Sequence, residues 1–163
     1  MTKPTLLVSA CLLGQPVRYD GQSKAISGPQ WNILQQRFDL IPVCPECMGG
    51  LPTPRPAAEI VGGDGDDALA GTARVQTAAG GDVSAAFIVG AERALNVARR
   101  HGCAKALLKA NSPSCGNHRI YDGSFSSTLR NGHGVTASLL EQQGIEIWNE
   151  EEIDRLLNLE QAR

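Results

Sequence analysis

The sequence predicts an α/β fold: a mostly parallel sheet with helices on both faces, a Rossmann-like three-layer arrangement, in a single domain over residues 1–163. Two observations carry this. Apolar runs of strand length alternate with segments of helix length, and parallel strands joined through helices need right-handed crossovers that cover both faces of the sheet. At 163 residues, with 42% hydrophobic and 20% charged side chains, the chain also has the size and composition of one domain that buries its core unaided.

The elements follow in order. Residues 5–10 (Thr-Leu-Leu-Val-Ser-Ala) read as a short buried strand, and 39–43 as a second despite Pro42 near its end. Between them, 29–38 reads as a helix. Residues 59–61 and 72–77 read as a small two-stranded insertion joined by an acidic loop, Gly62-Gly63-Asp64-Gly65-Asp66-Asp67. The clearest helix covers 82–101. Asp82 can cap it, Val83, Ala86, Phe87, Ala91, Ala94, Leu95 and Ala98 form one apolar face, and Gly102 stops it. Residues 104–109 have helical propensity, but Gly102 precedes them and Ser112-Pro113-Ser114-Cys115-Gly116 follows, so a buried strand is the better reading. Residues 135–143 make a helix ending at Gly144, and 145–148 a strand. Asn149 before Glu150, Glu151 and Glu152 is a capped start for a last short helix.

A formal net charge of −2 gives no electrostatic footprint for nucleic acid or an anionic membrane surface. No apolar stretch has the length of a membrane span, and the N-terminal residues lack a leader cleavage pattern, so a cytoplasmic protein is expected. Five cysteines at irregular spacing, in a chain large enough to fold without staples, fit reduced thiols or metal ligands better than a secreted disulfide framework.

In open α/β sheets ligands bind beyond the carboxyl ends of the strands, where several loops converge. Cys11 follows the first predicted strand, Cys44 follows the second, and Cys115 lies in the loop after the strand ending near Lys109. All three fall on one edge of the sheet. Cys103 opens a strand and belongs to the opposite edge, as a structural thiol. Cys47 is ambiguous, since Cys44-Pro45-Glu46-Cys47 has the spacing of zinc ligands and of thioredoxin-like redox pairs. The redox reading wants the motif to open a helix, and the glycines and prolines from Met48 to Pro56 oppose one. Zinc usually wants four closed ligands. Three buried cysteines acting as small apolar side chains are the plain alternative. Thiolates also hold iron-sulfur clusters, where a cubane ordinarily takes four; three would leave one iron open, as a Lewis acid for a substrate atom.

The loops around these thiols carry the other candidates. Arg18 and Asp20 place polar groups near the same edge, or form a surface ion pair. Glu46 shares a loop with Cys44 and can accept a proton from water. Prolines at 52, 54 and 56 stiffen the segment that fixes Arg55. Ser112 and Ser114 can donate to a cluster sulfide or to substrate, or cap a turn. Arg18, Asp20, Arg55 and Ser114 are thus candidate substrate-binding residues.

The motifs Val8-Ser-Ala-Cys-Leu-Leu-Gly14, Val17-Arg-Tyr-Asp-Gly21, Pro42-Val-Cys-Pro-Glu46, Gly49-Gly-Leu-Pro-Thr-Pro-Arg55, Leu107-Leu-Lys-Ala-Asn-Ser-Pro-Ser-Cys-Gly116 and Ile120-Tyr-Asp-Gly-Ser-Phe125 resemble those of the thiouracil desulfidase (TudS) family over nearly the whole chain. The resemblance implies a [4Fe-4S] cluster held at Cys11, Cys44 and Cys115 with its fourth iron free. It implies removal of sulfur from a small thiolated pyrimidine such as thiouracil without net redox change, with catalytic roles for Glu46 and Ser112, and it predicts oxygen sensitivity. Cys47 departs from the family's pattern, which is expected to carry an apolar residue there. Two other readings stand beside this one: a non-enzymatic metal-binding or redox-sensing module built on the same thiols, and a desulfidase acting on nucleosides or tRNA, the last disfavoured by the lack of a basic patch.

Overall fold

The computed structural model describes residues 3–161. In chain order its first half comprises β1 (Thr5–Ser9), a 3-10 turn (Ala10–Leu13), α1 (Pro29–Arg37), β2 (Asp39–Val43), α2 (Pro45–Met48), β3 (Ala58–Val61), α3 (Gly65–Ala70) and β4 (Arg74–Thr77). Then follow α4 (Ser84–Arg100), β5 (Lys105–Leu108), β6 (Arg119–Tyr121), β7 (Leu129–Asn131), α5 (Val135–Gln142), β8 (Glu146–Asn149), a second 3-10 turn (Glu150–Glu152) and α6 (Ile153–Gln161).

The expected α/β class is observed. A parallel sheet of order β2-β1-β5-β8 forms the middle layer. Side chains alternate across it, as the pleat requires. Leu6, Val8 and Leu107 pack with Trp31 and Leu34 of α1, Phe38 just after it, and Leu156 and Leu157 of α6. Leu7, Ala106 and Leu108 point the other way, onto Leu95 and Ala98 of α4 and Ala137 and Leu140 of α5. Each fully buried leucine contributes about 1.5–3 kcal/mol, enough across two layers to hold the fold without disulfides, and all five cysteines are free.

A third apolar cluster lies beside the sheet. Strands β3 and β4 pair antiparallel, Ile60 opposite Val75, and pack with Phe87 and Ala91 of α4 and with Ile120 and Val135. The insertion is therefore as expected, but its acidic connection is not a loop. Asp64 accepts from the backbone N–H of Asp66 and Asp67, while Asp67 Oδ2 accepts from Asp64 N, a reciprocal capping box that starts α3. Carboxylates at a helix N-terminus meet its unpaired N–H groups, which outweighs the flexibility of Gly62, Gly63 and Gly65. The antiparallel pair β6–β7, with Ile120 opposite Arg130, was also outside the sequence reading, its strands being three residues each.

One expectation at the thiols needs correction. The segment after Cys44 does open a helix, the single turn α2, with Pro45 at its first position, where a missing N–H is harmless. It ends at Gly49 and Gly50. This turn lies flush on α4: a Cβ on Gly90 would stand 1.9 Å from Pro45 O, and one on Gly49 2.0 Å from Ala86 O. Two glycines at the crossing let backbone meet backbone.

Candidate functional site

Strand register brings the thiols together. Ser9 pairs with Val43 across β1 and β2, so the residues just beyond, Cys11 in its 3-10 turn and Cys44 before α2, leave the sheet side by side. On the other flank of β1, Lys109 N donates to Ser9 Oγ at 2.9 Å, which fixes where the chain leaves β5 toward Cys115. Cys11, Cys44 and Cys115 line one cavity of about 600 Å³, together with Glu46, Arg18, Arg55 and Ser112. Asp20 and Ser114 are not on its wall. Asp20 pairs with Arg18 at 3.7 Å, and the buried Ser114 hydroxyl turns inward to Thr136 Oγ1 at 2.7 Å.

Burial dominates the thiols. It pushes Cys44 and Cys115 up to about 12, and it raises Cys11 although the charges of Lys109 and Arg18 pull the other way. Such thiols stay protonated at neutral pH unless a metal takes the proton's place, and coordination then releases protons. Among the described residues, the three sulfurs are not a group whose ligand atoms all lie within 4.8 Å of one another. A single tetrahedral zinc would need sulfurs about 3.8 Å apart. The donors are soft, buried, spread around a cavity and three in number, which fits a multi-iron cluster better than one ion.

Arg55 is the most restrained side chain at the rim. Its Nε donates to Glu46 Oε1 at 3.0 Å, Nη2 to Val17 O at 2.9 Å, and Nη1 to Pro52 O and Thr53 Oγ1, both at 3.1 Å. Burial works against its charge, yet the Glu46 carboxylate leaves its pKa raised overall. The pair holds Glu46 at the cavity wall with Oε2 unclaimed by Arg55. Cys47 faces the same cluster of groups, with its sulfur 3.8 Å from Val17 O, 3.8 Å from Arg55 Nη1 and 3.4 Å from Thr53 Oγ1. It does not line the cavity, whereas Cys44, also 3.8 Å from Val17 O, does. Cys103 is buried against Leu95 and Ala98, away from the cavity.

Ser112 Oγ accepts from both Ser114 N and Cys115 N at 3.1 Å. With its lone pairs engaged, the hydroxyl proton is the part of Ser112 left free to donate. The loop that carries it is tied to α5: Val135 N donates to Pro113 O, and Thr136 N and Ala137 N to Ser114 O.

Several wall residues had no assigned role in the sequence reading. Ser9 and Lys109 flank the thiols, the latter paired with Glu150 at 2.8 Å. Tyr121 and Phe125 add aromatic surface to the same cavity wall. Phe125 sits at φ 58° in a turn whose N–H groups, Gly123 at 2.9 Å and Phe125 at 3.2 Å, converge on Glu59 Oε1. The motif from Ile120 to Phe125 was the available signal.

The profile of the 2-thiouracil desulfurase family matches residues 6–152. A solved structure, that of the [4Fe-4S]-dependent thiouracil desulfidase TudS, superposes with a TM-score of 0.85 at 44% identity, covering 99% of this chain and 100% of that one. The uncharacterized protein YbbK of Bacillus subtilis (strain 168) is 43% identical over 152 residues, 93% of this chain and 99% of its own length. No helix among the described residues is long and apolar enough to cross a membrane. Because the matched span takes in all three thiol-bearing loops as well as Glu46 and Ser112, the chain belongs to the 2-thiouracil desulfurase family.

Proposed function

We propose that this chain is an enzyme that removes sulfur from thiouracil-type thiolated pyrimidines, using a [4Fe-4S] cluster held by Cys11, Cys44 and Cys115. The observation that carries the reading is the convergence of three buried thiols, from three separate strand-end loops, on a cavity that also presents a carboxylate and a hydroxyl.

When bound, the cluster supplies a thiophilic iron that no fourth cysteine ligates. The chain supplies the rest. Water adds to the thiocarbonyl carbon, the carbon–sulfur bond breaks, and one water converts C=S to C=O plus hydrogen sulfide, so no electrons are gained or lost. Glu46, oriented by Arg55, takes the proton from the attacking water on Oε2. Ser112, a donor by its local hydrogen bonds, gives its proton's hydrogen bond to the ring. Tyr121 and Phe125 offer flat surfaces for a planar base, and Lys109, Arg18 and Arg55 favour the anionic sulfur that leaves.

Anaerobic purification and reconstitution test this. About four irons and four sulfides per chain are expected, with turnover of thiouracil to uracil. Cys44→Ala is expected to lose the iron and the activity; Cys47→Ala is expected to keep both, because its sulfur lies off the cavity. One zinc per chain, stable in air, would overturn the proposal in favour of a non-enzymatic module. Comparing free base with nucleoside and thiolated tRNA identifies the substrate form.

A further inference from the structure

Among the described residues outside the thiol cavity, one group of side chains has the composition of a metal site. Asp64, Asp66 and His133 each offer a ligand atom, and all three atoms lie within 4.8 Å of one another. They belong to the start of α3 and the loop before α5, elements joined by the Gly65 N–H donating to His133 O at 2.7 Å. Beside them is a concavity of about 250 Å³ lined by Asp66, His133, Ser138, Glu141 and Gln142. It shares no lining residue with the thiol cavity.

Two carboxylates near one imidazole prove nothing alone, since both already have local partners. Asp64 caps α3, and Asp66 Oδ1 accepts from Gln142 Nε2 at 3.0 Å. The independent observation is Ser138. It is 2% exposed and lines the concavity, yet its Oγ has no hydrogen-bond partner among the described residues. A buried hydroxyl without a partner costs about 1–3 kcal/mol. The space beside it is kept open by a glycine: a Cβ on Gly65, between the two aspartates, would come 2.5 Å from that Oγ. His133 Nε2 meets Glu141 Oε2 at 3.1 Å, so a carboxylate also stands behind the imidazole, as it does behind many metal-bound histidines.

We propose that Asp64, Asp66 and His133, with the Ser138 hydroxyl completing the set, bind a divalent cation. Carboxylate and hydroxyl oxygens with one imidazole suit a hard-to-borderline ion of the manganese type rather than a thiophilic one. The ion would tie α3 to α5, the helix against which the Cys115 loop is hydrogen-bonded. This site does not depend on the desulfidase reading.

Manganese is the probe, because thiolates compete for it poorly. Full-length protein with its thiol site as isolated is titrated with Mn²⁺, bound metal being followed by electron paramagnetic resonance and stability by the melting temperature. One saturable Mn²⁺ per chain and a raised melting temperature are expected. Asp66→Asn and His133→Gln, which leave the Asp64 cap in place, are expected to weaken binding at least about tenfold and to abolish the thermal shift. Ser138→Ala, which removes the orphan hydroxyl without touching the carboxylates, is expected to weaken binding while leaving the metal-free melting temperature at or above the parent's. No saturable binding, or binding that survives both Asp66→Asn and His133→Gln with unchanged circular dichroism, overturns the proposal.

Discussion

Glu46→Gln is expected to keep the full iron and sulfide content and to lower turnover of thiouracil by about 10²–10⁴-fold, the range that a positioned proton acceptor contributes. The substitution touches only one of the two things Glu46 does. Glutamine retains an oxygen that can accept from Arg55 Nε, now 3.0 Å from Oε1, so the restraint among Arg55, Val17, Pro52 and Thr53 survives. What disappears is the capacity to hold a proton. The side chain is about one-fifth exposed, so packing changes little. Iron and sulfide assays alongside kcat separate the outcomes. Parent-like turnover with the cluster intact would remove Glu46 from the chemistry, and loss of iron would make it a structural residue instead.

Gly90→Ala is expected to impair the site at a distance from the reacting atoms. In an exposed helix interior this change gains roughly 1 kcal/mol from propensity. Here the new Cβ would meet Pro45 O at 1.9 Å and Pro45 C at 2.8 Å. Those are backbone atoms of the turn that carries Cys44, Glu46 and Cys47, and they cannot rotate away. Overpacking of this kind costs about 1–3 kcal/mol, so the clash exceeds the propensity gain. The turn must lift from α4, taking one thiol and the carboxylate with it. A lower melting temperature, reduced iron loading and reduced turnover are expected together, whereas Val89→Ala, exposed on the same helix, should change none of them. Melting curves and iron content check this, and full loading in the Gly90 variant would show that α2 can move without cost to the site.

Cys11 and Cys44 were legible from chain order alone, because a residue just beyond a strand of a parallel sheet lands on the carboxyl edge; Cys115 lies further along the loop that leaves the same edge after β5. The strands of the central sheet were legible for the same reason, being apolar runs bounded by turn residues. Ser114 shows what was not. Its neighbour Ser112 is two residues away in the same tight turn, and only the turn's geometry sends one hydroxyl to the cavity wall and the other inward to Thr136. The short α3 was hidden because its start is encoded by reciprocal side-chain to backbone bonds among aspartates, which on paper look like a solvated loop. The strands β6 and β7 are too short to show a period. Tyr121 and Phe125 come to the cavity through contacts between segments far apart in sequence, a kind of information that composition and spacing do not carry.

The hydrogen bonds from Val135, Thr136 and Ala137 to the carbonyls of Pro113 and Ser114 make the Cys115 loop the missing first turn of α5. Helix and loop therefore open and close as one cooperative unit, in the sense that neither can fray without stranding the other's backbone groups. Cys11 and Cys44 are held differently, by the sheet register and by the seat on α4. The three corners of the thiol cavity thus belong to three separately stabilised pieces of the fold, and a cofactor gripping all of them would act as a clasp that makes local openings of those pieces concerted.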